Sequence, residues 1–65
     1  MYWIYETSDL KHPVCLIEAR DIRDALYMFH SSRCVSQTGY IHTDYCGNLS
    51  LVKGHCEYIA IRKLM

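Results

Sequence analysis

The feature that most constrains the fold of this chain is a stretch of apolar residues that recurs with the period of an α-helix. Its four members occupy the i, i+3, i+4 and i+7 positions: Ile22, Ala25, Leu26 and Phe29. Asp21 is a favourable N-cap, and Asp24 three residues later gives a variant of the capping box, with Asp in place of Glu or Gln. The pattern predicts an amphipathic helix over residues 22–32, with one apolar face that a second layer must cover.

Strand patterns separated by polar turns fill the rest of the sequence. Two predicted strands precede the helix and three follow it, over residues 2–6, 14–19, 40–45, 49–52 and 56–62. The loop before Pro13 joins the first two as an antiparallel hairpin, and Gly47 and Gly54 mark turns between the last three. These elements predict one α+β domain over residues 1–65, in the order β-β-α-β-β-β, with a small antiparallel sheet and one helix packed on one face.

Alternation along the predicted strands indicates which side chains face the helix. One face of the second strand is apolar, whereas the last strand alternates an isoleucine face with a face that carries Tyr58, Ala60 and Arg62. We expect the apolar face and the isoleucine face to lie in the core. The predicted contact between the two layers joins Ile22, Leu26 and Phe29 of the helix to Cys15, Ile17, Ile59 and Ile61 of the sheet.

The charge balance and the first residues of the chain restrict the functional classes. The formal net charge is +0 at pH 7, so the chain lacks the basic excess typical of nucleic-acid-binding proteins and the acidity of a nucleic-acid mimic. The sequence begins without a basic region followed by a long apolar run, and no segment approaches the ~20 apolar residues of a membrane-spanning helix. We expect a cytoplasmic protein with no membrane association.

Four cysteines in so short a chain would suggest a disulfide framework in a secreted protein, but we find no secretion signal, and two other interpretations are open. In a reducing cytoplasm they are expected to be free thiols that pack as small apolar side chains. The alternative is a zinc-stabilised small domain whose ligands come from His30, Cys34, Cys46, His55 and Cys56. The sequence has no Cys-x-x-Cys pair, and these residues converge only if the helix C-terminus lies over both turns, so we expect neither a metal nor another cofactor.

Catalysis through a cysteine is not favoured by the spacing of the candidate partners. His55 adjoins Cys56, but neighbouring residues of a strand point to opposite faces. Cys46 with His42 or Asp44 is geometrically freer, yet a chain of 65 residues has little room for a pocket of the size that small molecules require. We therefore expect a non-catalytic protein.

The aromatic residues indicate a binding surface. One helix covers only one face of the predicted sheet, and six tyrosines and one tryptophan exceed what so small a core can hide. The residues expected to bind on the helix-free face or beside it are Tyr2, Trp3, Tyr40, His42, Tyr58 and Arg62. They predict a protein-binding accessory or regulatory protein that forms a homodimer or binds another protein chain, through this face or an edge strand. Its size is also in keeping with an inhibitor or regulator from a phage or mobile element.

Two other interpretations use the same rings. The rings can serve as cross-strand pairs that stabilise a solvated sheet face. Alternatively, tyrosines beside Arg62 and Lys63 can stack the bases of single-stranded nucleic acid. This second interpretation is the main functional alternative, although the chain has no ribonucleoprotein-type motif and no excess of positive charge.

Overall fold

The computed structural model describes residues 1–33 and 39–64, which form one helix and five strands. In chain order these are β1 (Tyr2–Glu6), β2 (Cys15–Ile17), α1 (Ile22–Arg33), β3 (Gly39–Thr43), β4 (Leu49–Lys53) and β5 (Cys56–Arg62). The strands form one antiparallel sheet in the order β2-β1-β5-β4-β3, and α1 packs on one face of it. The predicted α+β class, the element order and the packed helix are confirmed.

The strand β5 is central in the sheet although it follows all the other described strands in the chain. It pairs with β1 on one side, where Ile4 lies opposite Ala60, and with β4 on the other, where Leu51 lies opposite Tyr58. The hairpins β1–β2 and β3–β4 are therefore joined into one sheet by β5.

The N-terminus of α1 is capped as the sequence predicts. An oxygen of the Asp21 carboxylate accepts a hydrogen bond of 2.8 Å from the backbone N–H of Asp24, and the Ala25 N–H donates to the Asp21 carbonyl at 3.0 Å. The Asp24 carboxylate accepts from the Arg20 N–H at 3.3 Å instead of closing the capping box on Asp21. The cap starts the helix directly after the turn that leaves β2.

The core lies between α1 and the middle strands of the sheet. Its buried members are Tyr2, Ile4, Ala25, Leu26, Phe29, Leu51 and Ala60. The Phe29 and Tyr58 rings pack in a tilted arrangement with centroids 4.9 Å apart. Cys15 and Ile17 lie against the buried cluster, as predicted.

The predicted orientation of β5 is wrong. Ile59 and Ile61 pair with Tyr5 and Trp3 and lie on the face opposite α1, whereas Tyr58 and Ala60 face the helix. Two causes act together. The first is the two-residue turn Gly54-His55, which sets Lys53 opposite Cys56. That register places Tyr58 beside the buried Leu51. The second is the small side chain of Ala60, which lets α1 approach the sheet closely. Ile22, at the first turn of α1, is 38% exposed rather than buried.

Truncation of the Phe29 side chain tests this packing. Phe29 is 3% exposed, so Phe29→Ala should cost ~3–5 kcal/mol, a large part of the ~3–10 kcal/mol that a chain of this size has. Tyr27→Ala, on the outer side of the same helix, should change the free energy of unfolding by less than about 0.5 kcal/mol because Tyr27 is 65% exposed. Urea unfolding followed by circular dichroism measures both. A Phe29→Ala variant with the wild-type midpoint would show that α1 faces the other way.

Candidate functional site

The face of the sheet opposite α1, called the helix-free face below, is the candidate functional site. Side chains alternate along a strand, so the residues between the buried ones point to this face. They come from all five strands, and most of them are aromatic or aliphatic: Trp3, Tyr5, Leu16, Tyr40, His42, Ser50, Val52, Glu57, Ile59 and Ile61.

One half of the helix-free face, from the edge strand β2 to the central strand β5, carries an apolar cluster. Trp3 is paired with Leu16 on one side and Ile61 on the other, and Tyr5 is paired with Ile59. Directly opposed side chains in antiparallel strands have their Cβ atoms ~5 Å apart, so these five side chains are cross-strand neighbours on β2, β1 and β5. Ile61 is 47% exposed and the other four are half-buried, so the cluster is packed within itself and still presents apolar area to the outside.

The β3 side of the helix-free face is more polar. Tyr40 is paired with Val52 and is 62% exposed, and His42 is paired with the buried Ser50. Tyr40, His42 and Val52 line a shallow depression of about 370 Å³, together with Glu57 of β5 and the turn before it. An aromatic ring and an imidazole therefore stand at the margin of this depression.

The loop between β3 and β4 is organised by Asp44. One oxygen of its carboxylate accepts hydrogen bonds of 2.9 Å from the backbone N–H groups of Cys46 and Asn48, and the other accepts from the Asn48 side-chain amide at 3.2 Å. The hydrogen bonds from Asn48, the backbone one foremost, hold the pKa of Asp44 below its ordinary value. Gly47 supplies the positive φ of 85° that the turn requires. Asp44 thus fixes the end of β3, the strand that carries Tyr40 and His42. Its carboxylate accepts hydrogen bonds from the loop and does not pair with the Cys46 thiol.

Opposite charges mark the two ends of the central strand on this face. Glu57 lies at the start of β5, and Lys63 directly follows its end. The Lys63 N–H continues the ladder by donating to the Met1 carbonyl at 2.9 Å, and the ammonium lies 5.7 Å from the centroid of the Trp3 ring. Neither Glu57 nor Lys63 forms a salt bridge with another residue in the part of the chain that the structure describes.

The structure separates the six predicted binding residues into two groups. Trp3, Tyr40 and His42 lie on the helix-free face, as expected, and their binding role stays a prediction. The expected placement of Tyr2 and Tyr58 is wrong: Tyr2 is buried beside Ile4, and Tyr58 packs on Phe29. The remaining predicted residue, Arg62, is exposed at the sheet margin, at a position that pairs with Tyr2 and so belongs to the helix side. The error follows from the inverted orientation of β5 and from the burial of the first ring of β1.

Sequence reasoning missed the residues that form most of the apolar cluster. Tyr5, Ile59 and Ile61 are central, and Glu57 is placed at the end of the same face. Two signals could have found them. Trp3 and Tyr5 stand two apart in one strand and therefore share a face, and a two-residue turn at Gly54-His55 predicts the register of β5.

The candidate ligands of the zinc alternative are divided between the two ends of the sheet in the described residues. His30 lies next to Gly39, since a Cβ built on that glycine would stand 3.3 Å from the imidazole Nδ1. This is the same end of the sheet as Cys56, whereas Cys46 is in the β3–β4 loop at the opposite end. Cys34 lies outside the described residues. Among residues 1–33 and 39–64, no three His, Cys, Asp or Glu side chains are placed to hold a metal ion.

Comparisons with protein-family models, with curated proteins and with solved structures each returned no match. The described part of the chain contains no helix with the length and apolar character to cross a membrane. Function must therefore be inferred from the geometry of the chain itself.

Treatment with a chelator tests the metal-free interpretation. A structural zinc ion contributes ~10 kcal/mol or more to the folding of a small domain, so its removal would unfold a zinc-dependent chain. We expect excess EDTA to leave both the circular dichroism spectrum and the thermal midpoint unchanged. A loss of structure that added zinc reverses would overturn this prediction and point to ligands among His30, Cys34, Cys46, His55 and Cys56.

Proposed function

We propose that this chain is a non-catalytic protein-binding domain that acts through its helix-free face. The observation that supports the proposal is the cluster of Trp3, Tyr5, Leu16, Ile59 and Ile61 on the β2, β1 and β5 side of that face. Large exposed apolar patches on small proteins usually mark contacts with other macromolecules. Tryptophan and tyrosine are also the residues that contribute most to binding energy at protein interfaces.

The dimensions of the helix-free face suit a protein contact. Strands ~4.8 Å apart and ~3.3 Å of rise per residue give this five-stranded sheet a face of about 20 by 20 Å. The depression beside Tyr40 and His42 is shallow and open to the outside. An apolar cluster with polar residues beside it, as on this face, is a combination that protein interfaces commonly use.

The charges of the helix-free face do not favour the nucleic-acid alternative. Among the described residues assigned to this face, the positive charge comes from Lys63, and Glu57 at the other end of β5 carries the opposite charge. A single-stranded nucleic acid needs several cations along its path to neutralise the phosphates. We also propose a cytoplasmic location and an accessory or regulatory role, on the sequence grounds of compartment and size. A phage or mobile-element source is part of the same proposal.

Site-specific photo-cross-linking in cells tests the proposed function. A benzophenone side chain at Tyr40 would stand on the helix-free face, and the same group at Tyr27 would stand on the outer side of α1. The two tyrosines are matched in exposure, at 62% and 65%. We expect protein adducts from position 40 and few from position 27. Adducts of equal yield from both positions would contradict the proposal.

Salt dependence separates protein binding from nucleic-acid binding. We expect the sedimentation of the chain to be unchanged by a single-stranded RNA oligonucleotide at low and at high salt. A contact based on aromatic burial changes little with ionic strength, whereas phosphate binding weakens steeply as salt rises. A complex with RNA that forms at low salt and dissociates at high salt would favour the nucleic-acid alternative instead.

A further inference from the structure

We propose that the helix-free face binds a second copy of this chain, face to face, with the strands of the two copies antiparallel, so that Glu57 of each copy meets Lys63 of the other. The two-fold axis lies between the sheets, perpendicular to the strands, and passes over Ala60. This inference rests on the proposed protein-binding function and names the partner. It is carried by the positions of two opposite charges and of the apolar cluster between them.

The two charges cannot satisfy each other within one copy. Glu57 and Lys63 are separated by six residues of extended chain, which at ~3.3 Å per residue places them about 20 Å apart. Neither forms a salt bridge elsewhere in the described residues. The Lys63 ammonium lies over the Trp3 ring, so it is held above the helix-free face rather than directed away from it.

The symmetry of the pair selects one arrangement of two copies. Glu57 and Lys63 are equally spaced from Ala60, so an axis perpendicular to the strands at that residue brings each carboxylate opposite an ammonium of the other copy. An axis parallel to the strands would instead place Glu57 on Glu57 and Lys63 on Lys63. Juxtaposed like charges at an interface are unfavourable, so the antiparallel arrangement is the one that the charges permit.

The same two-fold operation matches the apolar residues. It lays Ile59 of one copy on Ile61 of the other, because these two are also equally spaced from Ala60. In β1 it lays Tyr5 on the partner's Trp3, since Ile4 between them pairs with Ala60. Two sheets stacked in this way lie ~10 Å apart with interdigitated side chains, as in a β-sandwich.

The size of the interface sets the expected affinity. A face of about 20 by 20 Å buries on the order of 1,000 Å² of accessible surface over the two copies, when the extra area of the protruding side chains is included. This is at the low end of specific protein interfaces, for which a dissociation constant in the micromolar range is expected. In so small an interface, the two charge pairs serve chiefly to choose the orientation.

Charge reversal tests the arrangement directly. Analytical ultracentrifugation should show a reversible dimer for the wild-type chain and an association at least ~10-fold weaker for Glu57→Lys and for Lys63→Glu, because each variant then faces like charges. An equimolar mixture of the two variants should restore dimers, since both cross-pairs are again of opposite sign. The double variant, with the two charges exchanged, should dimerise like the wild type. Arg62→Glu, next to Lys63 but on the helix side, is the matched control and should leave the dimer unchanged.

Circular dichroism verifies that each variant is folded. If a charge-reversed variant does not fold, Glu57→Gln and Lys63→Gln provide the same test. These neutral variants should weaken the dimer by a smaller factor. A wild-type chain that stays monomeric at millimolar concentration would overturn the second-copy proposal. A dimer that single reversals do not weaken, or whose mixed variants do not associate, would overturn the antiparallel arrangement. Cross-links from position 40 to a different protein, with no dimer in solution, would retain the protein-binding function and reject only its assignment to a second copy.

Discussion

In the part of the chain that the structure describes, one helix must cover a five-stranded sheet, and this constraint governs the rest of the structure. The apolar stripe of α1 is narrow, so the tight core is limited to a few side chains around Leu26 and Phe29. Half of the residues are apolar, so the apolar side chains that do not fit in this core have to lie elsewhere. They gather on the opposite face, where Trp3 and Ile61 are packed side by side and only partly shielded from water. A domain of this size cannot give both faces of its sheet an internal cover.

The central strand β5 connects the packed face to the exposed face. Tyr58 and Ala60 serve the core, one by its ring contact with Phe29 and the other by its small volume beneath the helix. The intervening Ile59 and Ile61 serve the exterior. A substitution in this strand therefore affects stability or surface character according to whether its number is even or odd, which allows the two properties to be changed separately.

The helix and the strands could be predicted because periodicity and caps are local properties of a sequence: Asp21 and the spacing from Ile22 to Phe29 were sufficient for α1. The orientation of β5 could not be predicted from that strand alone, because each of its faces mixes apolar and polar residues and orientation depends on register with the neighbours. The placement of Trp3, Tyr40 and His42 survived this error, whereas that of Tyr58 did not. The buried Leu51 of β4 lies opposite Tyr58. The orientation of β5 is therefore determined by β4 and by the turn between the two strands.

The pairing of β1 with β5 also bears on how the chain reaches its fold. Ile4 and Ala60 belong to opposite ends of the described chain, and a sheet closed by such a distant pair has a high contact order and forms slowly compared with helical domains of the same length. During synthesis the hairpin β1–β2 emerges first and keeps one edge unpaired until β5 arrives. That unpaired edge is the hazard of this topology, because a strand waiting for its partner can pair with the wrong chain.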